Sequence, residues 1–221
     1  MVHERTQSVR RRFAWVAAAG GLLIATACGA RATVSWEQPM PARAPSEGER
    51  LYVMAPQWTA GTNPGNVGRD VAGITSDIGD RILATVRQRI AGAELVPANI
   101  RMAVPLPAGY EAALPGPITP DERRAASWTV EHGVPFLFVP TIVEWKEMRT
   151  DDPIGAFSLP HNTIAITVRL MQMVPPTVLS QATFRSRARL TLNQSARQLL
   201  DERFNRMVLE LVSAAGPSRR P

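Results

Sequence analysis

Two neighbouring segments near the carboxyl end of the chain alternate between apolar and polar residues. In residues 163–173 the even-numbered positions up to Leu170 are apolar, and in residues 178–192 small or apolar residues alternate with polar ones. A period of two is the spacing of side chains on one face of a β-strand. Pro175-Pro176 separates the segments. We therefore predict two strands joined by a tight turn, each with one covered face.

The rest of the chain after residue 48 alternates between short apolar runs and helical repeats. Apolar residues at three- and four-residue spacing, together with a Pro-Asp-Glu helix start, predict helices. The predicted helices are 70–91, 120–132 and 196–214, and the further strands are 51–55, 94–96 and 134–145. The order β-α-β-α-β-β-β-α predicts an α/β fold, a mixed sheet of about five strands with helices packed on it.

The first 27 residues have the three parts of a bacterial export signal. Arg10-Arg11-Arg12 precede an apolar run from Phe13 to Ile24, and small residues then precede Cys28. The run is shorter than the about 20 residues that span a bilayer. The string Ala25-Thr26-Ala27-Cys28 resembles the lipobox of bacterial lipoproteins. In that class the signal is removed before the cysteine, whose thiol carries diacylglycerol and whose amine is often acylated, as with palmitate.

This resemblance implies a signal peptide over residues 1–27 and a membrane anchor on Cys28. Gly29 stands where enteric lipoproteins retained in the inner membrane carry Asp. The expected location is therefore the periplasmic face of the outer membrane, with inner-membrane retention left open. A conventional secretory signal with an incidental cysteine, or an uncleaved signal anchor, is the alternative.

Composition narrows the chemistry of the mature chain. Cys28 is the only cysteine, so its acylation would leave no thiol for a disulfide or a nucleophile. Signal removal takes away four arginines and one glutamate, which lowers the formal charge from +6 to +3 and does not favour nucleic acid. The proline-bearing residues 28–48 predict an extended tether. Residues 49–215 predict a single domain, and residues 216–221 a disordered tail.

The middle of the chain carries a family resemblance. It rests on Gly133-Val134-Pro135-Phe136-Leu137-Phe138-Val139-Pro140-Thr141-Ile142, then Glu144-Trp145-Lys146-Glu147 and Thr150-Asp151-Asp152. These strings resemble a family of uncharacterised bacterial outer-membrane lipoproteins. The predicted element order resembles the fold of the N-terminal domain of TolB and of the curli secretion lipoprotein. The resemblance covers about residues 50–214 and implies a fold and a cell-envelope address, but no catalytic residues.

Few residues offer catalytic chemistry. The histidines have no carboxylate partner at metal spacing, and nucleophile-elbow, phosphate-loop and dinucleotide motifs are absent from the sequence. We therefore expect no metal and no cofactor. Three acidic pairs predict solvated charges and a helix start, with a paired-carboxylate hydrolase as the alternative. The pairs are Glu144/Glu147, Asp151/Asp152 and Asp121/Glu122.

Six residues are candidates for an interaction site. They are Trp145, Asp151, Asp152, Arg185, Arg187 and Arg189. The three arginines form a line of cations on one strand face. These cations either cover a solvated sheet face and pair with neighbouring acids, or they bind an anionic partner. The tryptophan is either a core residue or an exposed anchor of the kind found at interface hot spots.

The function expected from these features is binding without catalysis. We expect a lipid-anchored binding or assembly module of the cell envelope, with a protein partner or self-assembly. One alternative is a ring-forming accessory subunit of a secretion or polysaccharide-export system. The other is a hydrolase that uses the acidic loop at Asp151 and Asp152.

Overall fold

The computed structural model describes residues 31–38, 44–59, 62, 71–101, 104–146, 161–189 and 196–213. The strands are β1 (Arg31–Gln38), β2 (Leu51–Val53), β3 (Gln57–Trp58), β4 (Ala93–Leu95), β5 (Phe136–Lys146), β6 (His161–Met173) and β7 (Pro176–Arg189). The helices are α1 (Val71–Arg87), α2 (Pro120–Glu131) and α3 (Glu202–Leu211), with 3-10 turns at Glu111–Ala113 and Ala196–Leu199. The predicted α/β fold is confirmed, and β1 and β3 are additional strands.

The strands form one mixed sheet. Their order is β1-β7-β6-β5-β2-β4, and β3 pairs with β5 further along that strand. Strands β1, β7, β6 and β5 are antiparallel neighbours, whereas β2 runs parallel to β5 and β4. The predicted hairpin of β6 and β7 is present, with Ile166 opposite Phe184 and Thr167 opposite Thr183. Because successive residues face opposite sides, this register assigns every side chain of the hairpin to one face.

The larger core lies between one face of the sheet and the helices α1 and α3. α1 buries an isoleucine stripe that includes Ile78 and Ile82, as its sequence period predicts. Phe184 of β7 meets Phe204 of α3 edge to face, with ring centroids 5.4 Å apart. Both rings are fully buried, and burial of a phenylalanine side chain contributes about 1.5–3 kcal/mol.

The last helix is shorter than the sequence predicts. Asp201 is extended, and its side chain accepts hydrogen bonds from the backbone N–H groups of Arg203 and Phe204. Such a cap satisfies donors that the first helical turn leaves without partners. The predicted helix 196–214 is therefore divided into a 3-10 turn and α3.

A smaller core covers part of the opposite sheet face. α2 and the irregular connection before it pack on Tyr52, Leu137 and Met171. Thr119 caps α2 by accepting the Glu122 N–H at 3.1 Å, and Gly133 follows its end with a φ of 62° that favours glycine. This layer covers the part of the sheet near the β6–β7 turn and leaves the other part polar.

The segment Arg31–Gln38 is a sheet strand, so the predicted tether over residues 28–48 is wrong for residues 31–38. β1 pairs antiparallel with β7, from Arg31 opposite Arg187 to Gln38 opposite Gln181. Ala32 is buried, and Val34 and Trp36 pack against the larger core. Residues 31–36 alternate between polar and apolar residues, but this alternation is short, and the prolines that follow it are typical of an extended tether.

A pair of adjacent substitutions tests whether β1 belongs to the fold. Val34→Asp places a carboxylate against the core and should lower the free energy of unfolding by about 2 kcal/mol. Thr33→Asp faces the opposite, exposed side and should change it by less than about 0.5 kcal/mol. Urea denaturation of the whole protein measures both. Equal, negligible effects would show that residues 31–38 are a tether after all.

Candidate interaction face of the sheet

The polar part of the sheet is formed by alternate residues of four strands. On β1, β7 and β6, the residues between the core positions point to the face opposite α1 and α3. They line a groove of about 380 Å³. We call this surface the polar sheet face, and its lining residues are Thr33, Ser35, Glu37, Val143, Thr167, Thr183 and Arg185.

Hydrogen bonds order the floor of the groove. The Thr183 hydroxyl donates to Glu37 Oε1 at 2.7 Å, and Gln181 Nε2 donates to the other carboxylate oxygen. Thr167 Oγ1 and Thr183 Oγ1 are 2.7 Å apart. A hydroxyl has one proton to donate, so Thr167 is the donor in this second bond. These two hydrogen bonds hold the carboxylate of Glu37 in place, and both donors are neutral side chains.

Arg185 lies in the middle of the polar sheet face. Its Nη2 is 3.7 Å from Glu144 Oε2, and the two side chains are 61% and 43% exposed. Ala165 occupies the register position between them, so the pair lies across this alanine. An exposed pair of this kind contributes about 0–1 kcal/mol. Arg185 can therefore exchange Glu144 for another anion at little cost in stability.

The other predicted interaction residues fall in different places. Arg187 is exposed on the same face as Arg185, as predicted, and Arg189 pairs in register with His161 at the end of the sheet. Trp145 is only 4% exposed, packs in the larger core and lies 6.0 Å from the ring of Trp58, so its reading as an exposed anchor is wrong. Asp151 and Asp152 lie outside the described residues.

A buried ion pair lies between α2 and the sheet. Arg169 Nη2 of β6 donates to Glu122 Oε2 at 2.8 Å, and the Tyr110 hydroxyl donates to Oε1 at 3.4 Å. Glu122 is 2% exposed and Arg169 is 13% exposed. The prediction that Glu122 is a solvated helix-start charge is wrong. Glu122 does lie in the first turn of α2, but its side chain points under the helix to Arg169 of the sheet.

Burial is the main cause of the pKa shifts of Glu122 and Tyr110. It raises the pKa of the Glu122 carboxyl, and the Arg169 charge and the two hydrogen bonds oppose that shift. Burial also raises the pKa of Tyr110, and the nearby Glu122 charge adds to the effect. For the Glu122 carboxyl, the effect of burial on the pKa therefore outweighs the attraction of Arg169. The cluster is inaccessible, so its arrangement suits a structural role.

A second cleft lies at the carboxyl ends of β2 and β4. This edge is where parallel sheets of α/β proteins commonly bind ligands. The cleft has a volume of about 260 Å³ and includes Met54, Gln57, Asp121 and Arg124 in its lining. The amide of Gln57 already bonds to Thr119 and Met54, and Arg124 bonds to Asp121. Its polar groups therefore satisfy one another.

Within the described part of the chain, no group of three or more His, Cys, Asp or Glu side chains could hold a metal ion. No helix in that part is long and apolar enough to cross a membrane.

Comparison with protein-family models finds no match, and comparison with curated proteins finds none either. Among solved structures, the chain is similar to a PelC dodecamer from Paraburkholderia phytofirmans, with 14% identity over 83% of this chain and 96% of that chain and a TM-score of 0.49. It is similar to protein XCC0632 from Xanthomonas campestris, with 14% identity over 79% and 87% and a TM-score of 0.42. It is also similar to lipoprotein GNA1162 from Neisseria meningitidis, with 13% identity over 74% and 94% and a TM-score of 0.34. At these sequence identities and TM-scores, the similarity assigns no role to any residue of this chain. Its membership of the predicted family stays a prediction.

The buried pair makes a prediction about stability and pH. The raised pKa means that folded Glu122 holds its proton to higher pH than unfolded Glu122, whose ordinary value is 4.5. The folded state then binds more protons, so this group's contribution to stability falls as pH rises through that window. Urea denaturation across the acid range should show this fall in the wild type and its loss in Glu122→Gln.

The partner arginine gives the matched test. Arg169→Met leaves a buried carboxylate without its cation and should cost about 3–5 kcal/mol at neutral pH. Arg124→Met breaks an exposed pair with Asp121 and should cost less than about 1 kcal/mol. Equal stability of both variants, or a wild-type pH profile in Glu122→Gln, would show that Glu122 and Arg169 do not form a buried ion pair that contributes to stability.

Proposed function

We propose that the protein is a lipid-anchored binding or assembly module of the bacterial cell envelope. The observation that carries this proposal is the placement of Cys28, the only cysteine, directly after an apolar run and the residues Ala25-Thr26-Ala27. The first described strand begins three residues later, at Arg31. The chain therefore passes from the proposed anchor into the sheet without a long tether.

The polar sheet face is the proposed binding surface. It combines hydroxyls with one cation, Arg185, whose present ion pair is weak, and one fixed anion, Glu37. Such a mixture suits hydrogen bonding and charge complementarity with a polar surface of another envelope protein. Among the described residues that line the groove, there is no histidine and no pair of carboxylates. We therefore assign it binding and no reaction.

Self-assembly is the second candidate. β1 is at the end of the sheet order, so its outer edge pairs with no other strand among the described residues. An edge of eight residues is a template for pairing with a further strand. Arg203 of α3 donates to the Ala32 carbonyl at 2.8 Å, which occupies one acceptor of β1. Light scattering of the detergent-solubilised protein would give a multiple of the chain mass if this candidate holds, and a single chain mass if it fails.

The anchor is tested by removing the acceptor thiol. Cys28→Ser should abolish metabolic labelling with palmitate and leave the signal uncleaved, because diacylglycerol is transferred to the thiol before cleavage. Thr26→Ser changes a neighbouring residue conservatively and should keep both labelling and processing. Palmitate incorporation by Cys28→Ser, or its absence from the wild type, would refute the lipid anchor.

The binding surface is tested by photo-crosslinking in intact cells. A photoreactive residue at Ser35, on the polar sheet face, should form a reproducible protein adduct, and one at the exposed Gln88 should form none. Arg185→Glu should weaken the Ser35 adduct about tenfold or more by reversing the local charge, whereas Arg206→Glu on the surface of α3 should leave it unchanged. Adducts from Gln88 alone, or insensitivity to Arg185→Glu, would contradict this assignment.

A further inference from the structure

The end of the sheet where β1 begins carries a row of cations. Lys146 is opposite Thr163, Thr163 is opposite Arg187, and Arg187 is opposite Arg31. The three cationic side chains are exposed. They share the face of Arg185, because the alternate residues of their strands are in the core. We call Arg31, Lys146 and Arg187 the basic row, which spans about 14 Å at the usual strand spacing.

The basic row lies at the end from which the chain would reach the membrane. Only three residue steps separate Cys28 from Arg31. An extended chain spans at most about 3.6 Å per residue, so the Cα atoms of Cys28 and Arg31 are no more than about 11 Å apart. Acyl chains on Cys28 enter the hydrocarbon of the bilayer. This end of the sheet must then lie close to the headgroup layer.

We infer that the basic row docks on anionic phospholipid headgroups of the membrane that holds the anchor, and that this contact orients the domain. The inference rests on the proposed lipid anchor. Guanidinium groups match the geometry of phosphate oxygens, and about 10 Å is the distance over which exposed charges interact at 0.1 M salt.

The docked orientation gives the polar sheet face a direction. Strand β7 runs from the turn at Val174 to Arg187, so the turn is at the end of the hairpin far from the headgroups. The groove residues Thr33 and Ser35 are two and four residues beyond Arg31, or about 7–13 Å. The groove would therefore open sideways, close to the bilayer surface. A partner bound there would itself lie at or in the membrane.

Energy transfer from the domain to labelled lipids tests the orientation. The acylated full protein is reconstituted into phosphatidylcholine vesicles with about 30% phosphatidylglycerol, which supply an anionic surface. A fluorophore is placed on Thr33→Cys or on Val174→Cys, the latter position being 73% exposed. About 35 Å of strand separates the two sites. Transfer from residue 33 should be at least about twofold more efficient than from residue 174.

Charge variants then identify the contact. The triple change Arg31→Gln, Lys146→Gln and Arg187→Gln should reduce the difference between the two sites by about half or more, as should about 0.5 M salt. The matched triple change Arg89→Gln, Arg101→Gln and Arg206→Gln removes the same charge from other exposed positions and should leave it unchanged. On pure phosphatidylcholine vesicles, the wild-type protein should show a difference between the two labels as small as that of the first triple variant on anionic vesicles.

The outcomes separate this inference from the proposed anchor. If the wild-type protein fails to sediment with the vesicles, the lipid anchor is wrong, and the orientation fails with it. If the protein sediments but the two labels transfer equally, or if both triple variants behave alike, the anchor stands and the basic row is not the docking surface. An unchanged difference on neutral vesicles would likewise overturn recognition of anionic headgroups.

Discussion

The antiparallel register of β6 and β7 is the constraint on which both faces of this domain depend. With Ile166 opposite Phe184 and Thr167 opposite Thr183, one face receives the side chains that pack under α1 and α3, and the other receives threonines and arginines. A shift of one residue would exchange the two sets. The Phe184–Phe204 contact then fixes α3 on the core side. β1 extends the same alternation by one strand, which links the amino-terminal segment to both faces.

The face of the sheet opposite α1 and α3 is covered at one end and exposed at the other. Near the β6–β7 turn, α2 and the connection before it bury Arg169 against Glu122, and this burial raises the pKa of the Glu122 carboxyl. Towards the start of β1, the corresponding charges of Arg185 and Glu144 stay exposed and weakly paired. The same strand face therefore holds a fixed ion pair at one end and exchangeable charges at the other. Only the exposed end is available to a partner.

Much of the fold was predictable because its elements are strongly periodic. The alternation of β6 and β7 and the isoleucine stripe of α1 predict those elements to within four residues at each end. The two-residue strand β3 is too short to show a period, and Asp201 interrupts a helical stripe that continues across it. For the site, the arginine positions follow from alternation, but the burial of Trp145 and Glu122 depends on which layer covers each face. The burial of Arg169 could be predicted from the sequence, because Met171 and Met173 follow it on the same face and indicate a covered surface.

The proposed anchor, the short link to β1 and the orientation of the groove all depend on where the mature chain begins and on what Cys28 carries. Mass spectrometry of the amino-terminal peptide, from protein extracted from cell membranes, measures this directly. We expect a peptide that begins at Cys28 and carries diacylglycerol on its thiol. An amino terminus at another residue, or a Cys28 with a free thiol, would contradict it.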